Sequence, residues 1–104
     1  MSTQQVSITH TVVVETEVLF SLEELSRICN VDIETMKELV HEGVLVPQDE
    51  QATHWQFRGT ALARARAATR LLRDMEMNAA GTALVLDLMD EIKALRSQLR
   101  RLGA

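Results

Sequence analysis

The sequence predicts a mainly α-helical fold: a helix-turn-helix head with a small β wing, then an arginine-rich helix and a long C-terminal coiled-coil helix. Three observations predict it. Two short amphipathic segments with helix-capping residues lie between residues 21 and 47. Aromatic residues make up only 3% of the chain, so aliphatic side chains and alanine must build the core, which suits packed helices. Apolar residues near the C-terminus repeat at heptad spacing.

The first predicted helix begins at Ser21. Ser21 and Glu24 have the spacing of a capping box, in which each side chain binds the other residue's backbone N–H. Phe20 and Leu25 occupy the two positions of a hydrophobic staple across the first turn. The apolar side chains of this segment fall on one helical face, which comprises Leu22, Leu25, Ile28 and Cys29.

The second predicted helix follows after a short turn. Asp32 is its N-cap, Val31 and Met36 repeat the staple spacing, and Gly43 permits the left-handed backbone that stops it. Two helices joined by a turn of this length are typical of a DNA-reading motif. Nucleic-acid binding is therefore the first hypothesis that the charges must test.

Strand signals come from a β-branched stretch before the first helix and from two short apolar runs after the second helix. One strand is expected within residues 6–19, and its candidate partners are residues 44–46 and 55–57. The polar segment between those two runs begins with Pro47 and predicts a hairpin-like loop, that is, a wing. Trp55 is expected in the core beneath this wing rather than in a partner-binding site.

The third predicted helix spans residues 60–76 and is rich in Ala, Leu and Arg. It presents a basic stripe composed of Arg64, Arg66, Arg70 and Arg73. Such a stripe could contact nucleic acid, or it could match the acidic head and a dimer partner. The sequence favours the second interpretation and leaves the first open.

The last predicted helix, capped by Asn78, has a heptad seam formed by Val85, Leu88, Ile92, Leu95, Leu99 and Leu102. At 1.5 Å per residue, about 24 residues reach roughly 36 Å, which is longer than a small head can cover. We therefore expect a homodimeric coiled coil. The predicted division is a head over residues 1–76 and a dimerisation helix over residues 77–104.

Charge is distributed unevenly along the chain. Residues 1–57 carry ten acidic and two basic side chains, for a net charge of −8, whereas residues 58–104 carry five acidic and nine basic ones, for +4. The second helix should expose Glu34, Lys37, Glu38, His41 and Glu42. Its carboxylates oppose binding to phosphates, so the sequence predicts a protein-binding face for a basic partner and argues against direct nucleic-acid binding.

Other function classes find little support in the residues. Cys29 and the three histidines lack the spacing of metal ligands, and neither a glycine-rich phosphate loop nor a nucleophile motif occurs. We expect no enzyme activity, no cofactor and no metal. A single cysteine and the lack of a long apolar run predict a cytoplasmic protein without a membrane segment.

The sequence resembles the CbpM family, whose members modulate a DnaJ-like co-chaperone and share a MerR-like winged helix-turn-helix. The resemblance covers roughly residues 19–102 and rests on HEGVLVP at 41–47, on Trp55 and Phe57, and on residues 79–95. The most specific run comprises Gly81, Ala83, Leu86, Leu88, Met89, Asp90, Glu91 and Ile92.

The resemblance implies a dimeric adaptor that binds the J domain of a CbpA/DnaJ-like co-chaperone and inhibits its co-chaperone activity toward DnaK and its association with DNA. The alternative is a MerR-like DNA-binding transcriptional regulator. Such regulators place an arginine and aromatic residues on and after the second helix, where this chain has Lys37, Leu39 and Val40. That difference weakens the DNA-binding alternative.

Overall fold

The computed structural model describes residues 18–103. Its elements follow the chain in the order β1 (Phe20–Ser21), α1 (Leu22–Cys29), α2 (Ile33–His41), β2 (Gln56–Phe57), α3 (Gly59–Asp74) and α4 (Ala79–Arg101). Four helices and a two-stranded sheet confirm that the fold is mainly α-helical.

The three predicted N-caps are present. Ser21 Oγ accepts the Glu24 N–H at 3.0 Å, and Glu24 Oε1 accepts the Ser21 N–H at 2.7 Å, which completes the capping box of α1. Asp32 Oδ1 accepts the Thr35 N–H at 2.8 Å, and Asn78 Oδ1 accepts the Gly81 N–H at 2.7 Å. These caps fix where α1, α2 and α4 begin.

The small sheet joins the residues just before α1 to the residues just before α3. β1 and β2 are antiparallel, with Phe20 opposite Phe57 and Ser21 opposite Gln56. Of the strand predicted within residues 6–19, residues 6–17 lie outside the described part of the chain, and Val18 and Leu19 precede β1. Gln56 and Phe57, within the candidate partner 55–57, therefore pair with Phe20 and Ser21, which follow the segment in which the strand was predicted.

Residues 44–46, the other candidate partner, do not form a strand. The Val44 and Leu45 N–H groups both donate to the Leu39 carbonyl oxygen, at 2.9 and 3.3 Å, so this segment closes the end of α2 instead. Gly43, at φ 80°, provides the predicted left-handed turn. The following loop is tied back to β2 by a 2.7 Å hydrogen bond from the Gln48 N–H to the Gln56 carbonyl oxygen.

The core lies between α1, α2 and α3 and is closed by β2 and the start of α4. Its most deeply buried large side chains are Leu25, Met36, Leu39, Leu45, Phe57 and Thr82. α3 packs through small residues, Ala61, Ala65 and Ala68, which allow its backbone to approach the neighbouring helices closely. Ile28 differs from expectation, because it is exposed at the edge of the α1 face.

Helix α4 has two different parts. Ala79, Thr82 and Leu86 are buried, and this first part contacts α2 and α3. From residue 87 to the C-terminus the described side chains are almost all exposed. Among the described residues, no helix is long and apolar enough to cross a membrane.

Candidate protein-binding surface

The exposed face of α2 carries the five residues predicted to bind a partner, Glu34, Lys37, Glu38, His41 and Glu42, and we call it the α2 surface. The opposite face is buried through Met36 and Leu39, so α2 cannot turn these polar side chains inward. The structure therefore brings all five together on one exposed helix face.

The α2 surface is predominantly negative. Lys37 Nζ lies 3.6 Å from Glu34 Oε2, and this exposed pair neutralises one of three carboxylates. Glu38 and Glu42 are one helical turn apart, and neither is paired with a basic side chain in the described part of the chain. A surface with this excess of negative charge attracts basic partners and repels phosphates.

Asp32 adds a further carboxylate at the N-terminus of α2. Hydrogen bonding to the Thr35 side chain and backbone lowers the pKa of this fully exposed carboxyl below its usual value. The N-cap is thus held in its ionised, hydrogen-bond-accepting form, and it places negative charge at the positive end of the helix dipole.

A groove beside the α2 surface was not anticipated from the sequence. This Trp55 groove has a volume of about 380 Å³ and is lined by Val40, His41, Gly43, Leu45, Val46, Pro47, Glu50 and Trp55. Trp55 is half-buried and packs against the core, as expected, but it also borders this groove. The signal for it in the sequence is the apolar run before Pro47, of which Leu45 and Val46 line the groove.

The arginine stripe of α3 does not act as one unit. Arg64 donates from Nε to the Val44 carbonyl oxygen at 3.1 Å, and its terminal nitrogens reach Asp90 at 3.0 Å and Asp87 at 3.4 Å. Arg73 donates to the carbonyl oxygens of Cys29 and Asn30, at the end of α1. Two of the four arginines therefore join elements within the chain, whereas Arg66 and Arg70 are exposed.

The heptad seam of α4 is solvent-exposed within one chain. Val85 is half-buried, and the exposed members are Leu88, Ile92, Leu95, Leu99 and Leu102. Leu84 and Met89 widen this apolar strip. Large apolar side chains repeated along one helix face mark a surface suited to another helix.

The structure offers little for metal binding or thiol chemistry. Among the described residues, no group of three or more His, Cys, Asp or Glu side chains is arranged to hold a metal ion. Cys29 is buried, and its burial raises the pKa of the thiol, although nearby Arg66, Thr69 and Arg73 oppose the shift. The thiol is therefore protonated and shielded at neutral pH.

Comparison with known proteins shows which family has this architecture. Residues 20–103 match the model of the MerR HTH family regulatory proteins. The chaperone modulatory protein CbpM of Coxiella burnetii (strain Dugway) is 33% identical over 91 residues, covering 88% of this chain and 86% of the relative. The chain belongs to the CbpM family. The CbpM proteins of Salmonella arizonae and of an Escherichia coli O139:H28 strain are 31% and 32% identical, each covering 82% of this chain and 84% of the relative.

Membership of the CbpM family confirms the resemblance drawn from residues 41–47 and 79–95. The matched region runs from β1 to the end of α4, so the head and the terminal helix belong to the family together. These relatives are named chaperone modulatory proteins, which describes a regulatory role for them.

Proposed function

We propose that this protein is a non-enzymatic chaperone modulator that binds the J domain of a CbpA/DnaJ-like co-chaperone and inhibits its co-chaperone and DNA-binding activities. Two facts support the proposal: membership of the CbpM family and the excess of carboxylates on the α2 surface. The excess of carboxylates supports the α2 surface as the binding site. The family implies a partner with a basic helix, and such a helix is complementary in charge to this surface.

In this proposal the protein acts as a homodimer. The exposed seam of α4 continues well beyond the last buried residue of that helix, Leu86. Pairing of two such seams would remove these apolar side chains from water and join two heads, each with its own α2 surface.

Reversal of charge on the α2 surface tests the site. We expect Glu34→Lys combined with Glu38→Lys to weaken J-domain binding by about tenfold or more at low salt, mainly through a slower association rate. The measurement is the rate and equilibrium constant of binding to a CbpA-type J domain at two salt concentrations.

The matched control is Asp74→Lys combined with Glu76→Lys, which changes the net charge by the same amount at the exposed end of α3 and in the connection that follows it. Equal binding by both double variants would remove the α2 surface from the proposal. Absence of any complex between the unmodified protein and the J domain at low salt would contradict the proposed function itself.

DNA binding is the second candidate function, and the helix-turn-helix together with the MerR match favours it. This candidate predicts retardation of a promoter fragment, with an affinity that falls steeply as salt rises. Arg66 and Arg70 are exposed for such contacts, but Glu34, Glu38 and Glu42 oppose phosphate binding where a reading helix would lie. An absent gel shift at modest salt would dispose of this candidate.

A further inference from the structure

The Trp55 groove lies next to the α2 surface and has a mainly apolar lining. Val40 and Trp55 are half-buried, and Val46, with 59% of its surface exposed, stands between buried Leu45 and buried Pro47. A single exposed valine needs no explanation. Here, however, it joins other apolar side chains around a concave space, which is the geometry that accepts an apolar side chain from a partner.

Hydrogen bonds within the loop define the shape of this groove. The Trp55 Nε1–H donates to the Glu50 carbonyl oxygen at 3.4 Å, and the Gln51 N–H donates to Asp49 Oδ1 at 3.0 Å. The Gln48 N–H donates to the Gln56 carbonyl oxygen at 2.7 Å. The groove is therefore largely formed before a partner arrives, which lowers the ordering cost of binding.

Charge around the groove indicates the chemistry of its occupant. Glu50 lines it, and Asp49 is exposed in the same loop. Glu38 on the adjoining helix and Glu42, the C-cap of that helix, are exposed as well. An apolar groove with a negative surround fits a basic, amphipathic segment better than an acidic or wholly apolar one.

We infer that the Trp55 groove receives one large apolar side chain from the basic helix of the J domain, while the α2 surface contacts the basic side chains of that helix. This inference rests on the proposed function and adds a second part to its binding site. The carboxylates raise the association rate, and the buried apolar side chain slows dissociation.

Replacement of Val46 by aspartate separates these two contributions. Val46→Asp makes the surface more acidic, so binding by charge alone would stay equal or become tighter. An apolar contact instead predicts binding weaker by about 10- to 100-fold, chiefly through faster dissociation. Val46→Ser should also weaken binding, whereas Val46→Leu should preserve it. The control is Ile28→Asp, which changes another exposed aliphatic residue that does not line the groove.

The full chain labelled with 5-fluorotryptophan provides a readout independent of affinity. The chain has one tryptophan, so its fluorine NMR spectrum contains a single resonance from Trp55. We expect this resonance to shift on saturation with the J domain. A complex that forms without this shift, and that Val46→Asp does not weaken, overturns the inference and leaves the proposed function intact. If no complex forms at all, both fail together.

Discussion

At the scale of single residues, Asp32 links a local hydrogen bond to pH. Its pKa is lowered by hydrogen bonds from Thr35, so the ionised cap contributes stability above the unfolded-state pKa of about 3.9. That contribution is lost as pH falls through the lower folded-state pKa. We expect the carboxyl of Asp32 to titrate in NMR below the usual aspartate pKa of about 3.9, and Asp32→Ala to flatten the acid limb of the stability profile. A normal titration midpoint would contradict this.

Residue roles were predictable where the partner is close in sequence. Ser21, Asp32 and Asn78 each cap a backbone N–H three residues ahead, and all three were identified from spacing alone. The roles of Arg64 and Arg73 were not, because the carbonyl oxygens they bind lie 20 and 44 residues away. Only the folded arrangement decides whether a basic stripe faces solvent or the protein.

At the scale of elements, Arg64 on α3 contacts both α4 and the turn after α2. Arg64→Gln removes the ion pairs with Asp87 and Asp90 and the hydrogen bond to the buried Val44. The aspartates are exposed, so the ion pairs contribute little, and most of the expected loss of about 1–2 kcal/mol in unfolding free energy comes from the unsatisfied carbonyl.

Urea unfolding measures this loss, and hydrogen exchange should locate it at the turn after α2, where the Val44 carbonyl oxygen loses its partner. Arg70→Gln is the control, because Arg70 is an exposed arginine on the same helix. Equal destabilisation by the two variants would mean that the hydrogen bond from Arg64 to Val44 does not stabilise the fold.

Elements with strong local signals were predicted best. The four helices were expected from caps and periodicity, whereas pairing of the strands depends on contacts between distant segments. Residues 44–46 carry the β-branched pattern of a strand, yet Val44 and Leu45 hydrogen-bond to Leu39 and close α2. At this position the hydrogen bonds that cap the end of α2 determine the backbone conformation, and the intrinsic β propensity of the residues does not.

At the scale of the whole molecule, the exposed seam predicts self-association. Leu95→Asp should place charges in the apolar interface and reduce the mass in sedimentation from twice 11.7 kDa to that of a single chain. Ala94→Asp, exposed on the same helix outside the seam, should remain a dimer. An unchanged mass for Leu95→Asp would show that the seam is not the dimer contact.

The proposed binding site was only partly predictable at this scale. The α2 surface follows from helical periodicity, since the buried Met36 and Leu39 determine which residues face solvent. The Trp55 groove did not follow, because it is assembled from α2, the turn after it and the loop before β2. A concave surface requires a folded loop, and no single spacing in the sequence encodes its shape.

The buried position of Cys29 makes the folded chain convenient for spectroscopic labelling. The sequence contains no other thiol, so a cysteine introduced at an exposed site would react with a spin label long before Cys29 does. With a label at position 101, near the end of α4, two paired helices would bring their probes close together if parallel and far apart if antiparallel. One distance distribution would thus reveal how the two heads are oriented across the dimer.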